Sequence, residues 1–205
     1  MLIKALNKYD RLRRRIYSRM LRYWGGFGSC GTAGFDPGVR IDNPHGMHIG
    51  DRALVLRGSW LYCIPTDGPE PELRIGADVY IGFRSHITTA RKVDIGPGCF
   101  LSNHVLITDS MHRYDDLTMY PLRQPLSVAE VRIGEGTMIG ESACVFGAVT
   151  IGQHCVVGAN SVVSNCDVPD FSVVAGAPAR LVKRYDSATR TWRRVEPSEP
   201  LVKAR

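Results

Sequence analysis

Between residues 133 and 168 a branched aliphatic side chain returns at every sixth position, Ile133, Ile139, Val145, Ile151, Val157 and Val163, and glycine usually follows it. A helix repeats every 3.6 residues and a strand every two, so a period of six requires short extended segments joined by sharp, regular corners. Thr137, Ala143, Val149, Cys155 and Ser161 stand two places before the next aliphatic residue, on the same side of a pleated strand. Both positions therefore point inward, and the pattern predicts an all-β fold, a parallel β-helix. Gly134, Gly140, Gly152 and Gly158 are expected at its corners, in backbone angles that a side chain makes costly.

The same beat runs through Ile75, Ile81, Ile87 and Val93 and resumes two places late at Ile95, Leu101 and Ile107. The run SMHRYDDLTMYPLRQPLSVAEV, between Ile107 and Ile133, has no hexad pattern. It predicts a loop over 108–132 thrown out of a prism that spans 73–175, and loops of that length inside a compact repeat tend to be functional. Residues 25–72, with Ile49 and Val55 on the beat, are expected to form one or two irregular coils, Trp60 and Tyr62 covering an edge and PTDGPEP making a turn. The tail, 176–205, loses all periodicity after Tyr185 and is expected to be disordered or laid across a neighbouring subunit.

A chain of 205 residues suits one well-buried domain. Its charge is uneven: residues 1–24 carry a net +7 and 179–205 a net +5, which leaves −6 on the body. An acidic body with basic ends argues against a nucleic-acid partner, whose basic face runs along the folded surface. Within 1–24, Leu2, Leu6, Leu12, Ile16, Met20 and Trp24 recur among the cations and predict a basic amphipathic helix. Such a helix either caps the open end of the β-helix or lies on an anionic membrane. No apolar run reaches the roughly 18–20 residues of a membrane span and no signal-peptide h-region precedes the repeat. The expected location is cytoplasmic, peripheral to the inner membrane face where the helix meets lipid. The six cysteines form no CxxC pair, and Cys99 and Cys155, at inward positions, read as reduced core residues.

A β-helix does not define a function, so the polar residues carry the question. His112 ends SNHVLITDSMH at the root of the long loop, with Asp109 three residues before it. Imidazole titrates near neutral pH and a loop root is accessible yet fixed, which suits a general base. The hexads IGEGTMIGESACVFGAVTIGQHCVVGANSVV followed by VVAGAPARLVK resemble the hexapeptide-repeat acyltransferases over roughly half of the chain, 75–184, and most of all the sugar and polysaccharide O-acetyltransferases of the galactoside and maltose type. The resemblance implies a left-handed β-helix with a protruding loop, a homotrimer with active sites between neighbouring subunits, acetyl-CoA as co-substrate and no metal. It makes His112 the base that takes a proton from the acceptor, with Asp109 the nearest carboxylate to strengthen it.

The resemblance also places coenzyme contacts at Ala159, Ser164, Asn165, Arg180 and Lys183, and Gly158 joins them for its small size. The two cations suit phosphates, and the small Gly158 and Ala159 suit close passage of a pantetheine arm. Asn165 stands where the galactoside enzymes carry lysine, which weakens one phosphate contact; Gly82 stands where they carry asparagine and His104 where relatives often carry asparagine, so a simple galactoside is not the expected acceptor. Asn103, His104, Tyr114 and Asp115 are the expected acceptor contacts, with Asp116 and Tyr120 beside them in the loop. The expected function is acetyl-CoA-dependent O-acetylation of a sugar in a bacterial polysaccharide or lipid-linked glycan. N-acetylation of an amino sugar and O-acetylation of serine use the same base, and a non-catalytic β-helical scaffold is the alternative outside enzymes. A γ-type carbonic anhydrase would need His86, His104 and His112 to meet at one zinc ion, and their hexad positions, six, four and six, set them apart.

Overall fold

The aliphatic beat becomes three stacked ladders. On the first flank Ile49, Ile75, Ile95, Ile133 and Ile151 pair in parallel register from coil to coil. Val55, Ile81, Leu101, Ile139, Val157 and Val174 do so on the second, and Leu61, Ile87, Ile107, Val145 and Val163 on the third. The result, in a computed structural model that describes residues 2–196 and 201–203, is a left-handed parallel β-helix of three flanks preceded by helix α1, Leu2–Trp24. These ladders and the small residues two places before them fill one narrow column with almost no solvent contact. Each fully buried Ile, Leu or Val in it contributes about 1.5–3 kcal/mol of hydrophobic stabilisation. The polar members are satisfied: Thr137 Oγ1 donates to Gly152 O at 2.8 Å and accepts from Cys155 N at 3.0 Å. Burial pushes the Cys99 thiol up to about 11 and that of Cys155 upward as well, so both remain protonated core atoms.

The glycines after the aliphatic positions serve a purpose other than the expected backbone angle. Left-handed φ falls two residues later, at Gly136, Ser142, His154 and Asn160. Gly134 and Gly140 are required by contact instead: a Cβ there would lie 2.5 Å from Gln153 N and from Ala159 N of the next coil. The corner of one coil rests directly on the backbone of the following one.

Regular winding also begins earlier than residue 73. The strands Ser29–Cys30 and Met47–Ile49 pair in register, as do Gly34–Phe35 with Leu54–Val55 and Arg40–Asp42 with Trp60–Cys63. Trp60 does not cover an edge; on the third flank it lies in the ladder between the Arg40 guanidinium, at 4.3 Å, and the His86 ring, at 4.5 Å, with Tyr62 beside it at 5.4 Å.

Helix α1 closes the open end of the first coil, where no earlier coil exists to take its hydrogen bonds. Ser18 Oγ accepts from Phe35 N at 2.7 Å, Tyr17 Oη donates to Val39 O at 3.0 Å, Arg22 donates to Ala33 O at 3.0 Å, and Arg14 pairs with Asp36 at 2.5 Å. At the other end the tail is ordered on its own chain. Ala179–Asp186 turns back antiparallel on Ser172–Gly176, Thr191–Arg194 adds to it, and Val202–Lys203 pairs with Cys166–Asp167. The terminal coil thereby gains partners for edges that would otherwise stay open. Residues 197–200 and 204–205 of the tail, and Met1, lie outside the described residues.

Candidate functional site

Corner residues of successive coils stack, so each edge of the prism is a column of loops. On the edge between the second and third flanks Ser142 N bonds Asn103 O, and Asn160 N bonds Glu141 O. Asn103, His104, Glu141, Ser142, Ala159 and Asn160 therefore share one edge, and Arg180, paired with Ala175, sits at its end. Five residues of strand further on lies the edge between the third and first flanks, about 16 Å away by strand rise. There Thr108 pairs with Phe146 and Phe146 with Ser164, so the root of the long loop stands above Ser164 and Asn165.

The loop leaves this second edge as a hairpin, Ser110–His112 antiparallel to Leu126–Val128, closed at its mouth by Ala129 N to Asp109 O at 2.8 Å. His112 is exposed, and no side-chain partner to its ring occurs among the described residues. Asp109 does not reach it. The carboxylate is fully buried and faces the preceding coil, where it accepts from Thr89 Oγ1, Ala90 N, Arg91 N and Lys92 N at 2.7–2.8 Å. Pleating explains the error in the sequence reading: Asp109 enters the corner while His112, across it, points outward. Asp109 is a clamp on the turn beneath the loop.

The loop tip is braced from within. Buried Gln124 donates to Asp116 O and Met119 O at 2.8 and 3.1 Å. The Thr118 hydroxyl and amide occupy Asp116, and Arg113 holds Asp115 through two contacts. These bonds hold both carboxyls below the usual carboxylate range. Tyr114, Leu117, Tyr120 and Leu122 are left pointing into solvent.

Of the expected coenzyme contacts, Gly158, Ala159 and Arg180 gather on the first edge. Gly158 is fixed by Ala175, whose Cβ would lie 3.0 Å from an added methyl; it is needed for coil packing as well as for any ligand. Arg180 is exposed, and its guanidinium has no carboxylate partner among the described residues. Ser164 and Asn165 lie on the second edge, where Asn165 Oδ1 accepts from Ala148 N at 3.1 Å, and Lys183 stands over the second flank beside Val173. Asn103 accepts from Phe83 N at 3.0 Å, and His104 approaches Glu141 at 3.6 Å.

Two cavities hold residues that the hexad pattern does not disclose. One, of about 480 Å³, joins Asn103 and His104 to Arg57, Phe83 and Arg84 on the first edge, with the Arg57 guanidinium 5.4 Å from the Phe83 ring centre. Another, also about 480 Å³, lies beside the second edge between Arg91, Arg132, Ala148 and Asp167. The available signal was positional, since Arg84 and Asn103 are corner residues before the next inward strand. No group of three His, Cys, Asp or Glu side chains is placed to hold a metal ion among the described residues.

Residues 130–165 match the family described as "Hexapeptide repeat of succinyl-transferase". A probable acetyltransferase of Mycobacterium tuberculosis is 34% identical over 137 residues, 67% of this chain and 42% of that protein. WbbJ of Escherichia coli, named as a lipopolysaccharide biosynthesis O-acetyl transferase, is 34% identical over 114 residues, 52% of this chain and 58% of its own. The chain spans about half the length of the curated relatives it matches. Among solved structures, AntD, an N-acyltransferase from Bacillus cereus in complex with dTDP and 3-hydroxybutyryl-CoA, has the same fold: TM-score 0.70, 18% identity, 84% of this chain and 91% of that one.

Proposed function

The chain belongs to the hexapeptide-repeat acyltransferase family, and from that premise we propose that it transfers an acetyl group from acetyl-CoA to a hydroxyl of a glycan sugar, at sites completed between copies of a homotrimer. The observation that carries this reading is the division of candidate residues between two edges. The base-bearing loop, Ser164 and Asn165 occupy one edge, while Ala159, Arg180 and the Asn103–His104 cavity occupy the other. A neighbour related by a closed rotation brings one copy's first edge against the next copy's second. The exposed apolar loop tip, Tyr114, Leu117, Tyr120 and Leu122, supports a neighbour at that place.

In this reading His112 takes the proton from the acceptor hydroxyl as its oxygen attacks the thioester carbonyl, and the C–S bond of the tetrahedral intermediate then breaks. The coenzyme thiolate leaves with the proton that the imidazolium returns. Arg180 of the neighbouring copy holds a coenzyme phosphate as a charged fork. The names of the relatives, an acetyltransferase and a lipopolysaccharide O-acetyl transferase, support acetyl and a glycan.

The test is thiol release from acetyl-CoA with a panel of sugars, amino sugars, serine and lipid-linked oligosaccharides, run on His112→Ala, Arg180→Ala and a co-expressed mixture of the two. Each variant alone loses acceptor-dependent release. Randomly mixed trimers recover about a quarter of the sites, because one edge of each variant is intact. No recovery with full assembly refutes the shared site. Release confined to amino sugars moves the reaction to N-acetylation, and no binding of any acyl-CoA restores the scaffold.

A further inference from the structure

Helix α1 divides its surface between two tasks. Tyr17, Ser18, Leu21 and Arg22 face the first coil and make the cap. On the opposite side Tyr9, Leu12, Ile16, Met20 and Tyr23 fall on one stripe at spacings of three and four residues, and each is more than half exposed. Because Ser18 receives the Phe35 amide that points along the prism axis, the stripe is directed away from the end of the prism. Arg13 borders it on one side and Arg15 and Arg19 on the other, all exposed, with Trp24 at the helix end 80% exposed. Beside the stripe a cavity of about 700 Å³ is walled by Leu12, Ile16, Arg15, Arg19 and Arg22. None of Arg15, Arg19 and Arg22 has a carboxylate partner among the described residues.

We propose that α1 seats this chain on an anionic lipid bilayer, the stripe entering the headgroup region and the arginine-walled cavity receiving lipid phosphate. An apolar face bordered by arginines, with aromatic rings along it, matches the boundary between acyl chains and charged headgroups. Each basic residue near such a surface adds attraction that salt weakens. Capping and membrane contact are therefore simultaneous, on opposite faces of one helix. Docking goes beyond the acetyl-transfer reading and does not depend on it, although a trimer with parallel prism axes would present three stripes at one end and strengthen the contact by avidity.

Flotation of the full chain with vesicles of phosphatidylglycerol and phosphatidylcholine in equal parts tests it, beside vesicles of phosphatidylcholine alone. The wild type floats with the anionic vesicles and loses this in high salt. Ile16→Glu/Met20→Glu and Arg15→Glu/Arg19→Glu each reduce the bound fraction roughly tenfold, with unchanged circular dichroism melting because these side chains support no packing in the cap. A wild type that stays at the bottom of the gradient overturns the proposal. So does an Ile16→Glu/Met20→Glu chain that floats as well as wild type, or one whose light-scattering mass falls while the wild type binds no vesicles, which assigns the stripe to a second copy. Thiol release is measured separately in solution, so loss of docking and loss of transfer are told apart.

Discussion

Asp109→Ala separates a structural clamp from a catalytic partner. The Asp109 carboxylate is fully buried and takes one hydroxyl and three backbone amides of Thr89–Lys92. Removing it strands those amides beneath the loop, and a buried donor without an acceptor costs about 1–3 kcal/mol. The amides of Arg91 and Lys92 are only partly buried, so water entering the vacated space recovers some of the loss, and a total of about 4 kcal/mol is expected. That is a large share of the about 5–15 kcal/mol that holds a domain together. With a urea slope of about 2 kcal/mol/M the unfolding midpoint should fall by about 2 M. Asp109→Asn keeps one acceptor oxygen but sets an amide against the amides it must accept from, and about half that loss is expected. The assay is urea unfolding followed by circular dichroism, with thiol release measured well below the midpoint. A folded Asp109→Ala chain within about 1 kcal/mol of wild type, with acetyl transfer down a hundredfold, would refute the clamp and return Asp109 to His112.

Two further perturbations read the column and the third flank. Gly140→Ala places a methyl 2.5 Å from Ala159 N and 2.8 Å from Gly158 C and Val157 O, all backbone, so the coils must part. Thermal melting should show a loss of about 2–4 kcal/mol, whereas Gly68→Ala, meeting only Thr66 Oγ1 at 3.4 Å, stays within about 0.5 kcal/mol; equal effects would contradict the contact argument. Burial holds the His86 imidazole below its ordinary value of 6.5, and its buried Nε2 has no hydrogen-bond partner among the described residues. The unfolded chain then takes up a proton before the folded one, so stability present above pH 6.5 is lost as the pH falls through 6.5 toward the folded value. His86→Phe, which keeps a ring against Trp60, should flatten melting temperature between pH 7 and 5.5; an unchanged slope assigns it to other groups.

The sequence discloses what the repeat enforces and conceals what depends on where a coil turns. The inward pair in each hexad was legible because a narrow column admits only small and branched side chains, and Ile133 to Val163 obey it without exception. The coils before Ile75 were not, because residues 64–71 interrupt the beat after Leu61 and Cys63. The tail strands escaped as well, since Ala179–Asp186 pairs antiparallel with the last coil and needs no repeat of its own. His112 stands out as a candidate from its place beside an unpatterned run. Asp109 is the nearest carboxylate to His112 in sequence, but spacing does not give its direction, and the fold turns it to Thr89–Lys92. The separation of Ser164 and Asn165 from Ala159 and Arg180 follows from which corner each occupies, a property that the beat of six does not print.

Polar chemistry gathers at the edges of this prism for a reason internal to its construction. On a flank one residue enters the column and the next lies in a ladder against neighbours above and below, as Glu72, Lys92 and Glu130 do on the first flank, so a change there is felt by the adjacent coil. A corner is freer. Its left-handed position admits His104, Ser142, Asn160 and Asn165, whose polar side chains tolerate that conformation and project outward. Insertions also cost least where the chain already turns: the loop leaves at Asp109, and the coil below it carries two residues, Gly147 and Ala148, opposite the single Asn165 of the next, the register shift between Phe146 and Val149. Both events use the same edge, and the Asn103–His104 cavity and Arg180 use another. On the proposed assembly, reaction therefore requires what winding alone withholds, a second prism supplying the missing edge. Assembly and acetyl transfer become one property, and two folded but inactive variants with damage on opposite edges are expected to repair one another.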